Sequence, residues 1–263
     1  MSVRASGRIS KRFIRVWQRN LTVYQKLWKV TFVPPLLEPL FYLAAFGVGL
    51  SVLVGDLQYQ GFTVSYVAFI APALIAVNIM YNAFFENTYA SFVRMYYQKT
   101  FDAMMATPLS LEEIMTAEII WGATRAVMAT VIMAAVISLF GLIQYPGGLL
   151  IIPLAFLGGI AFGAIALFFT GTVKAIEMFS LPIFLFITPM FLFGGTFFPL
   201  ENLPLWAQKV AFVFPLTHLV KLARAFCFNA MDYSLLWNVT YLLVFCAVFF
   251  PLAIAKMRRR LIK

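Results

Sequence analysis

From Leu149 to Thr172 the chain carries no charged side chain, and comparable apolar runs recur along most of its length. A run of this kind must close its own backbone hydrogen bonds and meet apolar surroundings. A helix crossing the hydrocarbon of a bilayer needs about 20 residues. A membrane β-barrel would instead show segments of about 10 residues with alternating polarity. The runs here are unbroken, so transmembrane helices are expected. Of 263 residues 63% are hydrophobic and 11% are charged, against about a quarter charged in soluble domains. The expectation is an all-α integral membrane protein forming a single transmembrane domain, residues 1–263.

Charge placement sets the expected topology. The net charge is +10. Eight Lys and Arg and no acid lie in residues 1–29, and five more lie in 256–263. Basic flanks stay on the cytoplasmic side, so both termini are expected inside and the number of spans even. In so apolar a chain these runs read as topology signals rather than a nucleic-acid surface, and membrane lipids are the expected contact. The N-terminal apolar run is of span length, unlike the short core of a cleaved signal peptide. A multi-pass protein of the cell's inner (cytoplasmic) membrane is expected.

Residues 10–29 read as an amphipathic interfacial helix. Phe13, Trp17, Leu21, Tyr24 and Trp28 form one stripe, expected to face the acyl chains, with Arg12, Arg15, Arg19 and Lys26 opposite. Six spans are expected at about 30–54, 65–88, 113–142, 149–172, 178–198 and 234–255. Residues 199–233 are apolar enough for a seventh. Pro204 and Pro215 break that run, however, and Lys209, His218, Lys221 and Arg224 interrupt it. A seventh span would also place the C-terminal cations outside. Two short re-entrant outer helices, about 203–213 and 216–229, are expected instead.

One mixed polar segment, Arg94 to Glu113, interrupts the apolar pattern on the expected cytoplasmic side. Thr107-Pro108 ends a first short helix. Ser110 with Glu113 three residues on forms a capping box for the next. The segment reads as helix, break, helix.

Few residues can carry chemistry. The phosphate-binding pattern Gly-x-x-x-x-Gly-Lys-Ser/Thr is absent, so ATP hydrolysis by that route is excluded. The spacing of Cys227, Cys246 and the single His218 matches no metal site. No catalytic residue, metal or cofactor is assigned to the chain. Ionisable groups within spans need partners: Glu38, Glu86, Glu118 and Arg125 qualify. Counted from the cytoplasmic ends, Glu38 and Arg125 differ in depth by about 6 Å at 1.5 Å per residue. They are expected to form an intramembrane ion pair that locks the bundle. Asn78, Asn82 and Glu86, four apart, share one helix face and serve either as interhelical glue or as a wall of a substrate path. Pro182 and Pro189, seven apart, invite bending of the aromatic fifth span.

The layout resembles the type-2 ABC exporter permeases. Glu38-Pro-Leu-Phe-Tyr42, Gly47-Val-Gly49, Phe85-Glu-Asn-Thr-Tyr-Ala-Ser-Phe-Val-Arg-Met95 and Gln98-Lys-Thr-Phe-Asp-Ala-Met104 are similar to the nodulation-factor (lipo-chitooligosaccharide) exporter branch. Gly194-Gly-Thr-Phe-Phe-Pro-Leu-Glu-Asn-Leu-Pro204 and Phe214-Pro-Leu-Thr-His218 resemble the family's outer-loop signature. Daunorubicin-type drug exporters, polysaccharide exporters and lipid exporters share the layout. The resemblance covers about 10–263. It implies a homodimer with two copies of a separate cytoplasmic ATP-binding-cassette ATPase, which would hold ATP and Mg. It implies a coupling segment over 94–109, carried by Arg94, Tyr97, Lys99, Thr100, Phe101, Asp102, Met104, Met105, Thr107, Pro108 and Leu109. Spans one, two and five would line the path at the dimer interface, placing Tyr42, Asn78, Asn82, Phe85, Phe184, Thr188 and Met190 on it. The cargo class is an amphipathic or lipid-linked molecule. Two other classes compete. A membrane-embedded transferase for lipid-linked substrates needs clustered acids or a histidine near one interface, and the acids here are scattered. A secondary transporter or an ion channel is the third class; secondary transporters often show internal repeats, and none is visible here.

Overall fold

Apolar runs fold into helices throughout the described residues, which are 10–50, 55–59 and 62–262 of this computed structural model. Helix α1 (Phe13–Lys26) leads directly into α2 (Trp28–Tyr42), which continues as a π-helix over Leu43–Leu50. Residues 51–54, the end of the expected first span, lie outside the described residues, as do Arg4 and Arg8 of the basic N-terminus. The segment before the expected second span contains an antiparallel hairpin, β1 (Asp56–Tyr59) with β2 (Phe62–Ser65), in register Asp56 with Ser65. Its Tyr59 ring packs 5.4 Å from Phe69. This hairpin departs from the purely helical expectation.

Among the described residues five helices are long and apolar enough to cross a bilayer: α3 (Tyr66–Tyr97), α5 (Leu111–Leu139), α6 (Gly147–Thr170), α7 (Ile176–Phe193) and α10 (Leu235–Leu261). Helix α2 contributes a shorter apolar stretch, Thr31–Phe46. Between α7 and α10, α8 (Leu205–Val213) and α9 (Pro215–Cys227) meet at 89°. Phe214 at the bend is extended, as a residue before proline prefers. Between α3 and α5 lies the short α4 (Thr100–Met105).

Helix α3 runs further than the expected 65–88. It passes through π-helical turns at Glu86–Ala90 and Val93–Tyr97 and stops where Lys99 takes a left-handed φ of 53°. Polar groups in those turns find partners inside the bundle, so the helix need not end at the first charge. Helix α5 starts at the capping box: Ser110 Oγ accepts from Glu113 N (3.2 Å) and Glu113 Oε2 accepts from Ser110 N (2.8 Å). In α7 a π-helical segment, Ile183–Ile187, lies between Pro182 and Pro189.

The core is built on α3, buried around its whole circumference from Phe69 to Met80, against α5, α6 and α9. Small residues let these backbones approach. A Cβ on Gly159 of α6 would stand 2.6 Å from Ala123 Cα of α5. At the hairpin end, the buried Arg224 guanidinium donates to three carbonyls, Phe69 (3.1 Å), Gly195 (2.6 Å) and Thr196 (3.2 Å), and so ties α9 to α3 and to the turn after α7. His218 bridges Asn238 Oδ1 (2.8 Å) and the Phe212 carbonyl (2.9 Å), pinning α9 to α10. At the opposite end, Arg260 of α10 donates to the Thr170 and Val173 carbonyls at the C-terminus of α6, where a cation is favoured.

Because Gly159 abuts backbone rather than a flexible side-chain tip, Gly159→Val overpacks the α5–α6 contact. A loss of about 1–3 kcal/mol and a lower thermal midpoint of the purified protein are expected. Gly49→Ala, which meets no atom of the described residues within 4 Å, leaves the midpoint unchanged.

Candidate functional site

The last turns of α3 place Glu86, Ser91 and Arg94 against α5. Arg94 binds both carboxylates across the interface: Nη1 to Glu86 Oε1 (2.9 Å), Nε and Nη2 to Glu118 Oε2 (3.0 and 2.6 Å). The planar guanidinium suits such a fork, where an ammonium would not. Glu118 is fully buried and also accepts from Ser91 Oγ (2.6 Å) and Asn20 Nδ2 (3.0 Å). Glu86 further accepts from Trp121 Nε1 (2.9 Å) and faces Arg125 Nε at 3.6 Å. Every carboxylate oxygen of the cluster has a donor or a cation, which offsets much of its desolvation cost.

Helix α1 is drawn onto this cluster. Beside the Asn20 contact, Trp17 Nε1 donates to Thr124 Oγ1 (3.0 Å) and Tyr24 packs edge-on to Trp121 (5.9 Å). The aromatic stripe expected to face acyl chains is therefore split. Trp17 and Tyr24 turn toward α5, while Trp28 stays exposed. Ser10 donates through its amide (3.3 Å) and hydroxyl to Glu113, and Arg12 Nη1 to the Pro108 carbonyl (2.9 Å). Asn20, Ser91 and Trp121 escaped the sequence reading. The partnership of Arg94 with Glu86 has a sequence signal in their eight-residue helical spacing.

The segment 94–109 divides into an outward and an inward set. Tyr97, Lys99, Asp102, Thr107 and Pro108 are exposed, with Tyr96, and Thr100, Met104, Met105 and Leu109 are partly so. Phe101 is fully buried and Arg94 is held in the ion cluster. The expectation that these two lie on a docking surface is corrected: α4 folds its one large aromatic ring onto the core.

The expected Glu38–Arg125 pair does not form. Asn78 Nδ2 donates to Glu38 Oε2 (3.0 Å), and Arg125 faces Glu86. Glu86 takes the place of Glu38 because α3 runs on to Tyr97. Glu86 then lies about 17 Å, and Arg125 about 21 Å, from the ends of their helices at 1.5 Å per residue. The two charges thus share a level.

Glu38, Asn78 and Asn82 do come together, with Asn82 Nδ2 donating to the Asn78 carbonyl (3.0 Å). Tyr42 lies one turn from Glu38 and stacks on Phe46 (6.0 Å). Phe85 stacks on Tyr81 (5.5 Å) and is partly exposed, Phe184 is exposed, and Thr188 is half-buried. Met190 is fully buried in the core, so it presents no surface to a path.

A cavity of about 460 Å³ opens between α1, α3 and α5, lined by Arg19, Asn20, Val23, Tyr24, Leu27, Thr31, Glu86, Tyr89, Ala90, Val93, Arg94, Gln98, Trp121 and Arg125. A second, of about 270 Å³, is lined by Tyr81, Asn82, Phe85, Glu86, Tyr89, Ala90 and Arg125. The two share Glu86, Tyr89, Ala90 and Arg125. Burial, and then the neighbouring Arg94 charge, hold the Arg19 guanidinium below its ordinary pKa; the Glu118 charge opposes them. Among the described residues no group of three or more His, Cys, Asp or Glu is arranged to hold a metal ion.

Comparison with known proteins bears on this arrangement. The family model described as "ABC-2 type transporter" matches residues 11–228. Nodulation protein J of Rhizobium leguminosarum bv. trifolii is 34% identical over 97% of this chain and 95% of its own. The protein of the same name from R. leguminosarum bv. viciae is 32% identical over 95% of each. The inner membrane transport permease YadH of Escherichia coli K12 is 23% identical over 93% of each. A match across most of the chain, with a bundle of span-length apolar helices, makes this a multi-pass membrane protein of the ABC-2 type transporter family, in the branch of nodulation protein J.

Proposed function

We propose that the chain is the membrane-spanning subunit of an ATP-driven exporter that moves an amphipathic or lipid-linked molecule, such as a lipo-oligosaccharide, lipid or drug, out of the cytoplasm or inner leaflet. Two copies form a homodimer in the inner membrane, each with six spans (α2, α3, α5, α6, α7 and α10) and both termini in the cytoplasm. Helices α8 and α9 form the re-entrant outer segment. Two copies of a separate cytoplasmic ATPase hold ATP and Mg and dock on 94–109. The permease has no hydrolytic site of its own.

The observation that carries this reading is the union of an exposed polar and aromatic face with a buried ion cluster in consecutive turns. Tyr96, Tyr97, Lys99 and Asp102 offer a contact for another protein. Directly behind them Arg94 joins α3 to α5, and Glu118 joins both to α1. A push on the exposed face moves three helices together rather than bending a loop. Direction of transport then requires cargo to bind the inward and outward states with different affinity. The stripe of Glu38, Asn78 and Asn82, with Tyr42, Phe85, Phe184 and Thr188, is the proposed wall of the path.

Co-purification with the candidate ATPase, followed by ATP-dependent transport in proteoliposomes, tests the reading. Absence of binding, together with transport indifferent to ATP, contradicts it. Lys99→Glu, Asp102→Lys and Tyr97→Ala are expected to leave membrane insertion and thermal midpoint intact while ATP hydrolysis no longer drives transport. Phe101→Ala acts differently, lowering stability by about 3–5 kcal/mol through the cavity it leaves. Arg94→Met leaves Glu118 buried without its cation and costs about 3–5 kcal/mol, read as a lower thermal midpoint. Glu118→Gln introduced with it recovers part of the loss.

A further inference from the structure

The larger cavity is not explained by the ion cluster beside it. Three arginines line it, Arg19, Arg94 and Arg125, and they meet two carboxylates, Glu86 on the wall and Glu118 behind it. One positive charge is unbalanced. Arg94 spends its donors on Glu86, Glu118 and Ser91. The other two do not. Arg125 has one carboxylate contact, through Nε, and its guanidinium lies over the Tyr24 ring at 4.6 Å. Its two terminal nitrogens have no hydrogen-bond acceptor among the described residues. Arg19 donates there to the neutral Asn20 amide alone. Both guanidinium groups therefore line one open cavity with unused charge and unused donors. Guanidinium donors of this kind match phosphate and carboxylate oxygens.

The rest of the lining is of the opposite character. Val23 of α1 and Leu27, between α1 and α2, are exposed, and Tyr24, Tyr89 and Trp121 form aromatic walls. A ring of aromatics beside cations, opening past aliphatic residues, suits a molecule with one charged end and one apolar end. At about 460 Å³ the space takes a headgroup and the start of a chain, leaving the remaining apolar part to run out past Leu27.

We infer that this cavity binds an amphiphile bearing a single anionic phosphate-type group, with the anion held between Arg19 and Arg125 and the apolar part leaving past Val23 and Leu27. Two sources share that chemistry: an anionic glycerophospholipid of the bilayer, and an anionic group on the transported molecule. Because Arg125 also lines the second cavity beside Asn82, the bound anion sits where the α1 groove meets the polar stripe. The inference concerns binding alone and stands apart from coupling to an ATPase.

Native mass spectrometry of the full chain, purified from a heterologous host and stripped with detergent, provides the test. Dioctanoyl-phosphatidylglycerol is the probe, with dioctanoyl-phosphatidylcholine and inorganic phosphate as comparisons. The wild-type chain is expected to take one phosphatidylglycerol and to bind both comparison ligands about tenfold more weakly or less. Arg19→Gln and Arg125→Gln each weaken phosphatidylglycerol binding about tenfold. Arg15→Gln, on the exposed face of the same helix, leaves it unchanged. Leu27→Glu, which alters no ion pair, also weakens it and keeps the test open should Arg125→Gln fail to fold. Equal affinity for the two lipids, or an equal loss in Arg15→Gln and Arg19→Gln, overturns the inference, because a diffuse basic surface would behave that way. Host phosphatidylglycerol bound before the detergent strip assigns the site to the bilayer. A site already empty before the strip that takes the probe with the same arginine dependence assigns it to the cargo.

Discussion

Arg94 is the cation on which one end of this bundle depends. It reaches from the last turns of α3 to Glu118 on α5, and Glu118 in turn receives Asn20 from α1. Three helices with no covalent reason to move together share one buried charge cluster. A low-dielectric setting makes such a cluster unforgiving: complete, it is nearly neutral, and short of one member it leaves a buried charge exposed to apolar surroundings. It also permits the π-helical turns of α3 to continue past Glu86, because their side chains find partners there. The positions of α4, of the Ser110 cap and of α1 all follow from where α3 is allowed to stop.

The two ends of the molecule are held by different physics. At the hairpin end, Arg224 has no carboxylate partner among the described residues and is satisfied by three carbonyls and the face of Phe69 at 3.7 Å. That contact fixes the backbone of the turn after α7 and the bent pair α8–α9. At the other end, charge meets charge, and Arg19 and Arg125 are left with donors to spare. The surplus explains why a cavity opens beside the cluster instead of closing over it: two like charges without a shared counter-ion do not pack together.

Much of this was legible in the sequence. Span-length apolar runs, the break at Pro108, the Ser110–Glu113 cap and the bent pair around Pro215 all rest on local rules of hydropathy, proline geometry and capping. What local rules do not carry is which distant residues meet. Glu38 and Arg125 were matched by depth, but depth depends on where each helix ends, and α3 ends at a left-handed Lys99 that no simple pattern announces. The resemblance places Phe101 in the coupling segment, yet its ring closes onto the core. The hairpin at Asp56–Ser65 is short, and its strand pattern is hidden between two apolar runs. Met190 shares its helix with exposed Phe184 but is buried, a matter of packing within the bundle that spacing alone leaves open.

The proposed mode of action requires α1, the end of α3 and the start of α5 to travel as one body when the ATPase closes. Pulsed electron spin-resonance distances in the intact permease–ATPase complex measure this directly, with labels at Gln18 of α1 and Gln98 at the end of α3, compared with labels at Gln98 and Phe184 of α7. The account predicts that trapping the ATPase in its nucleotide-closed state leaves the first distance distribution unchanged and shifts the second. A shift in the first distance with the second unmoved would contradict it, since the ion cluster would then be opening rather than transmitting the push.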